Sequence, residues 1–188
     1  IAEKLVALKD FVLLIYESLL QFEFFFAIGQ FAKKYNLTSS LLLERKAKSQ
    51  DPRGFFGKDM MNLELQAASG ENVEPIQYQI GNINPLKLRE VHLQKETCSQ
   101  LNLLTGSNSG GKTKCLQSCA QAIILAQMGF PSLGEFHLFP FDEMYYFKKS
   151  SGQISAGAFE TTLLQFVEMA QSPKLKIIFA DELESITE

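Results

Sequence analysis

Leu5, Leu8, Val12, Ile15, Leu19, Phe22 and Phe26 follow one another at alternating steps of three and four. That spacing puts their side chains on one face of an α-helix, and Phe11, Leu14 and Phe25 widen the face. Two arrangements bury such a face: a coiled-coil dimer, or a helix packed inside a larger helical domain. The face is too broad for a two-stranded seam, which favours the second. Gly29 is expected to loosen the end of the helix, with one or two more turns over 31–35. Asn36-Leu37-Thr38-Ser39 then reads as a turn or cap.

The pattern changes over 44–53, where Arg45, Lys46, Lys48 and Arg53 share a polar stretch with Asp51-Pro52. This is a candidate linker with a solvated basic face, and it sets a boundary between a helical segment, 1–48, and a second unit, 49–188. Short apolar runs at 60–65, 76–83, 86–93 and 101–105 predict strands, punctuated by Gly70, Pro75, Gly81 and Pro85. A helix is predicted over 116–128 and stops at Gly129-Phe130-Pro131. The aromatic stretch 136–147 reads as two short strands bent around Pro140. A further helix, 159–171, offers Leu163, Phe166, Val167 and Ala170 as its buried side, and the apolar run 175–180 predicts a strand buried on both faces. Strands alternating with helices imply an α/β fold with a mostly parallel sheet covered by helices.

With 188 residues, 46% of them hydrophobic, the chain can bury a sizeable core as one or two domains. A net charge of −3 gives no bulk attraction to nucleic acid, so polynucleotide contact has to come from a local patch or from other parts of the protein. Cys98, Cys115 and Cys119 are odd in number and show no Cys-x-x-Cys spacing, which argues for reduced thiols and a cytoplasmic or nuclear setting. Asp10, Glu17 and Glu23 interrupt the apolar N-terminal stretch, so neither a signal peptide nor a membrane span is expected there. Ile1 in place of a methionine suggests a fragment of a longer protein.

The chemistry is carried by two motifs. Residues 106–113 read Gly-Ser-Asn-Ser-Gly-Gly-Lys-Thr, the Gly-x4-Gly-Lys-Thr phosphate loop, set between a predicted strand and a predicted helix. Gly106, Gly110 and Gly111 let the backbone turn its N–H groups toward phosphate oxygens. Lys112 adds positive charge near the β- and γ-phosphates, and the Thr113 hydroxyl is suited to Mg²⁺. The second motif is the apolar run that ends in Asp181-Glu182. Asp181 can hold Mg²⁺, and Glu182 can polarise the water that attacks the γ-phosphate. A Ser- and Gly-containing turn at 155–157 opens a helix and can present N–H groups to an anion. No Asn/Thr-Lys-x-Asp guanine reader is present, and residues 114–160 contain no arginine for a kinase lid. An ATPase is therefore favoured over a GTPase or a small-molecule kinase.

These residues resemble the MutS family. Residues 104–113 are similar to its Thr-Gly-Pro-Asn-Met-Gly-Gly-Lys-Ser loop, Asn84-Pro85-Leu86 to its Asn/His-Pro-Leu strand entry, and 126–131 to its Ala-Gln-x-Gly-x-x-Val-Pro-Ala segment. Phe159 aligns with the phenylalanine of its Ser-Thr-Phe, and Asp181-Glu182 with its Asp-Glu. The N-terminal helix is similar to the end of its helical lever domain. Ser107 and Ser109 replace the usual Pro and Met, Gly157-Ala158 stand where Ser-Thr is usual, and no Gly-Arg-Gly-Thr follows Glu182, which marks a divergent paralogue.

The resemblance implies a P-loop NTPase fold of the ABC and MutS kind, truncated just after the acidic pair. It implies that Gly106, Ser107, Asn108, Ser109, Gly110, Gly111, Lys112 and Thr113 hold ATP or ADP, and that Thr113 and Asp181 hold Mg²⁺. Glu182 would be the catalytic base. Ser155 and Gly157 would reach the nucleotide of a second MutS-like subunit in a homodimer or heterodimer, and Ile83 and Pro85 would touch the adenine. Double-stranded DNA would be engaged mostly through regions outside this chain, in mismatch repair or recombination. Two alternatives remain at this point: an SMC-like ABC-type repair ATPase, and a nucleotide-dependent interaction module with negligible turnover. Weak or absent ATPase activity is expected of the isolated chain.

Overall fold

The first helix, α1 (Ala2–Lys34), runs for 33 residues, about 50 Å at 1.5 Å per residue. The structure is a computed structural model that describes residues 2–44, 53–69, 73–81, 83, 101–107, 111–148 and 156–181, the side chains of 2–7 and 156–163 excepted. Gly29 does not loosen α1. Interior hydrogen bonds carry it on to Lys34, where Asn36 takes a left-handed φ of 51°. The Leu37 N–H then donates to the Ala32 carbonyl at 2.8 Å and the Asn36 N–H to the Lys33 carbonyl at 3.4 Å, which satisfies the last-turn carbonyls. Lys33 and Lys34 add positive charge at the negative end of the helix.

Apolar side chains of α1 face solvent on every side, Phe11, Ile15, Phe22 and Phe25 among them. By length and composition 8–34 is enough to cross a membrane, with Glu17 and Glu23 inside it. An edge-to-face contact of Phe24 with Phe130, ring centroids 6.2 Å apart, holds α1 to the rest of the molecule.

The chain after α1 enters a four-stranded sheet ordered β1-β4-β2-β3, made of β1 (Leu41–Leu42), β2 (Gly54–Met60), β3 (Ile76–Gly81) and β4 (Glu135–Leu138). β1 is parallel to β4, whereas β2 is antiparallel to both β3 and β4. β5 (Glu143–Phe147) and β6 (Lys176–Ala180) form a second, parallel pair. Among the described residues the architecture is thus mixed α/β, and the larger sheet is mostly antiparallel rather than mostly parallel. β2 and β3 meet at the close Gly54–Gly81 pairing, and the short helix Leu63–Ser69 lies in the connection between these two antiparallel strands. A Cβ on either glycine would sit 1.8 Å from a carbonyl oxygen of the facing strand, so only glycine permits that approach.

Helix α3 (Lys112–Gln127) packs across the four-stranded sheet through Ser118, Cys119, Ala120, Ala122, Ile123 and Ala126. These are mostly small side chains, which let the helix lie close on Phe55, Phe136 and Leu138, all fully buried. At its far end the Gln127 amide receives the Phe141 N–H at 2.8 Å and donates to the Phe141 carbonyl at 3.3 Å. That pair fixes the bend between β4 and β5, as the aromatic stretch around Pro140 predicts. Ile177 and Phe179 of β6 complete the same core.

Four expected elements differ. Residues 60–65 are not a strand, because β2 ends at Met60 and helix α2 (Leu63–Ser69) follows. The cause is Asn62, whose side-chain oxygen accepts the Leu65 N–H at 3.1 Å as an N-cap. Residues 101–105 belong to no strand, and Leu101 and Leu103 are exposed. A strand there needs a ladder, and none of the described ladders includes these residues. In α4 (Ala156–Gln171) Phe166 and Met169 face inward while Val167 and Ala170 are exposed, since the helix covers the narrow β5–β6 pair with a single row. Phe166 stacks on Phe147 at 4.3 Å between centroids. β6 likewise buries only Ile177 and Phe179, leaving Ile178 exposed, because a two-stranded sheet meets the core with one face. The predicted strand 86–93 and linker 45–52 lie outside the described residues.

Candidate functional site

The N-terminus of α3 is formed by Gly111, which adopts φ 76° and ψ 13° and makes no side-chain capping bond. The left-handed conformation costs a glycine little, and it aims the first-turn N–H groups of the helix into the loop before it. The positive end of the helix dipole points the same way. A Cβ on Gly106 or Gly111 would meet nothing within 4 Å, so the glycines here serve conformation and leave open space beside the backbone.

Lys112 is the first helical residue, and its ammonium bends back to donate to the carbonyls of Gly106 and Ser107, the latter at 3.0 Å. One cation therefore closes the 106–112 loop on itself at the helix end. Thr113 follows in the first turn, half-buried. On the far side of the loop Asn102 donates to the Gln79 carbonyl at 3.0 Å, which ties the entering segment to β3.

A cavity of about 500 Å³ lies against this loop, bounded by Thr105, Gly106, Gly111, Lys112 and Cys115 on one wall and by Met60, Asn62, Leu65, Val73, Glu74 and Ile76 on the other. Pockets for small ligands span about 300–1,000 Å³ and are lined mainly by apolar groups with a few polar ones, so the size and lining suit a nucleotide. The second wall is held to α3 by polar contacts. Asn62 donates to the Lys114 carbonyl at 3.4 Å, the Leu63 N–H to the Gln121 side chain at 3.0 Å, and the Lys114 ammonium meets Glu64 at 2.9 Å. The hydrogen bond from Lys114 holds the Glu64 carboxyl below its usual range. Helix α2 and its cap were not legible as such in the sequence, although Asn62 followed by a run of helix formers carries the signal.

Asp181 stands at the C-terminal tip of β6, buried, with its N–H donating to the Phe147 carbonyl at 2.9 Å. Parallel pairing with β5, in which Phe147 faces Ala180, sets that position. The carboxylate also acts on Tyr146, whose hydroxyl is pushed up first by burial and then by the negative charge of Asp181. Asp181 is not among the residues lining the cavity, whereas Gly106, Gly111 and Lys112 are.

Ile83, expected at the adenine, is instead buried in the core, and its carbonyl accepts the Gln79 side chain at 2.6 Å. Gly157 falls in the first turn of α4. Asn108, Ser109, Gly110, Pro85, Ser155 and Glu182 lie outside the described residues. No group of three or more His, Cys, Asp or Glu side chains suited to a metal occurs among the described residues. The described residues thus offer a loop with an uncapped helix N-terminus, a lysine at its mouth and a hydroxyl in the first turn, and, outside the cavity lining, a buried carboxylate on a strand tip.

No family model matches the chain. The chain is similar to the DNA-binding protein MutS2 of Pyrococcus furiosus, 39% identical over 121 residues. The match takes in 63% of this chain and 20% of that protein, so the chain spans about a fifth of the relative's length. Over that partial region, the chain is a relative of the MutS family.

Proposed function

We propose that the cavity beside Gly111 binds ATP with Mg²⁺, and that the chain is part of the ATP-hydrolysing domain of a MutS-like DNA-binding protein. The observation that carries this reading is the uncapped N-terminus of α3, with the Lys112 ammonium folded over its loop. An anion with phosphate geometry satisfies both at once. The first-turn N–H groups donate to its oxygens, and Lys112 exchanges two neutral carbonyls for charged acceptors, which form the stronger hydrogen bonds.

Each remaining residue has a role that its chemistry permits. The Thr113 hydroxyl ligates Mg²⁺ directly, and Asp181 holds it through water. Mg²⁺ supplies charge neutralisation across the phosphates. Glu182, one residue past Asp181, orients and deprotonates the attacking water. Gly157, in the first turn of α4, and Ser155, two residues earlier in the sequence, serve the nucleotide of a second MutS-like subunit, so ATP draws two copies or two paralogues together. Contact with double-stranded DNA belongs mainly to other parts of the protein, consistent with a net charge of −3 here.

Titration calorimetry with ATP and Mg²⁺, alongside phosphate release from the full-length protein, tests the reading. Lys112→Ala is expected to weaken binding by about tenfold or more, as loss of a charge-assisted contact of about 1.5–3 kcal/mol requires. Glu182→Gln is expected to bind normally and lose turnover. Absence of heat on adding Mg²⁺-ATP to the wild-type protein would overturn the proposal, and binding without any phosphate release would reduce it to a nucleotide switch.

A further inference from the structure

Lys112 and Lys114 both line the cavity, two residues apart in the first turn of α3. At 3.6 residues per turn they lie about 200° apart around the helix axis, on nearly opposite sides of its N-terminus. Lys112 folds back over the loop, onto the Gly106 and Ser107 carbonyls. Lys114 turns the other way, to the α2 wall, where its ammonium meets the Glu64 carboxylate at 2.9 Å. An anion seated on the helix end therefore lies between two cations.

The two ends of Lys114 are held very differently. Its carbonyl accepts the Ser118 hydroxyl at 2.8 Å and the Asn62 amide at 3.4 Å, and both of those residues are buried. Its ammonium is in the open, the Lys114 and Glu64 side chains being 40% and 65% exposed. An exposed pair of this kind contributes little, because water solvates both partners and two side chains must be ordered to form it. A polyphosphate offers several charged oxygens in a partly enclosed space, where charge-assisted hydrogen bonds are stronger. Exchange of Glu64 for phosphate moves one flexible side chain and leaves the carboxylate in water, where it needs no partner.

We propose that Lys114 is a second phosphate-binding residue, and that Glu64 holds it in the free protein as a built-in stand-in for the ligand. The ligand class is a polyphosphate long enough to touch both lysines. Its identity as a nucleoside triphosphate rests on the reading above, whereas the two-cation geometry does not. Lys112 takes the phosphate oxygens on the loop side and Lys114 those on the α2 side. Glu64 competes with the ligand for Lys114 and so lowers its affinity.

Calorimetric titration of Mg²⁺-ATP and, separately, of inorganic tripolyphosphate into the full-length protein tests this. Lys114→Gln is expected to weaken both ligands by about tenfold, and Lys114→Arg to keep most of the affinity. Glu64→Gln is expected to tighten both by about two- to fivefold, and to change nothing further in the Lys114→Gln background. If the pair only tethered α2 to α3, Glu64→Gln would weaken binding, and that sign would overturn the proposal. Tightening that persists without Lys114 would overturn it too, since it would report general repulsion of anions by Glu64. So would a folded Lys114→Gln variant with undiminished affinity for both ligands. A wild-type protein that takes up tripolyphosphate but no Mg²⁺-ATP would sink the nucleotide reading alone, and the same variants with tripolyphosphate would then decide the role of Lys114. Uptake of neither ligand would sink both.

Discussion

Glycines at two places in the chain act for different reasons, and substitution separates them. Gly111 has a left-handed φ of 76° but open space where a Cβ would go. Gly54 has a φ of 116°, and its Cβ would lie 1.8 Å from the Ile80 carbonyl oxygen. Gly111→Ala therefore carries only the conformational cost, about 1–2 kcal/mol for a left-handed L-residue. Gly54→Ala adds a backbone collision that the β2–β3 ladder cannot relieve, about 3 kcal/mol in all. Urea unfolding is expected to rank them in that order, and equal losses would show that the Gly54 approach relaxes. The role of Gly111 was legible because the phosphate-loop spacing demands a left-handed glycine ahead of the helix. That of Gly54 was not, since a close strand approach leaves no local pattern.

At the scale of elements, sequence periodicity served best where an element has one buried face and a clear stop. Helix α3 begins at the lysine of the motif and ends at Gln127, just before Gly129, and β4 and β5 bend at Pro140. It failed at 60–65, where four apolar residues in six look like a strand while Asn62 starts a helix. The misreading hid one wall of the cavity, because α2 and the segment leading to β3 supply it. The cap offers a direct check. Asn62→Ala removes the bond to the Leu65 N–H and the bond to the Lys114 carbonyl. A loss of about 1 kcal/mol is expected from the cap alone. Amide exchange of 63–69 should quicken more than that of α3. Uniform quickening across both helices would mean that Asn62 supports the whole core and not this wall in particular.

The largest feature of the whole molecule is the one its core does not use. Helix α1 extends for about 50 Å with apolar residues all around it, and its described ring contact to the α/β body is Phe24 against Phe130. The seam of threes and fours was plain in the sequence, but periodicity reports only that a face wants cover and never what covers it. An exposed apolar surface of this extent costs free energy in water at about 25 cal/mol per Å². Contiguous patches beyond a few hundred Å² mark association or membrane surfaces. The 188-residue chain alone is therefore expected to sediment well above its 21.1 kDa monomer mass, and to shift toward monomer when Phe11, Ile15, Phe22 and Phe25 are replaced together by glutamine. Because those four side chains lie outside the sheet core, circular dichroism of the α/β body should change little. A wild-type chain that sediments at 21.1 kDa would mean that α1 folds back onto its own body in solution, and the apolar seam would then be part of the core after all.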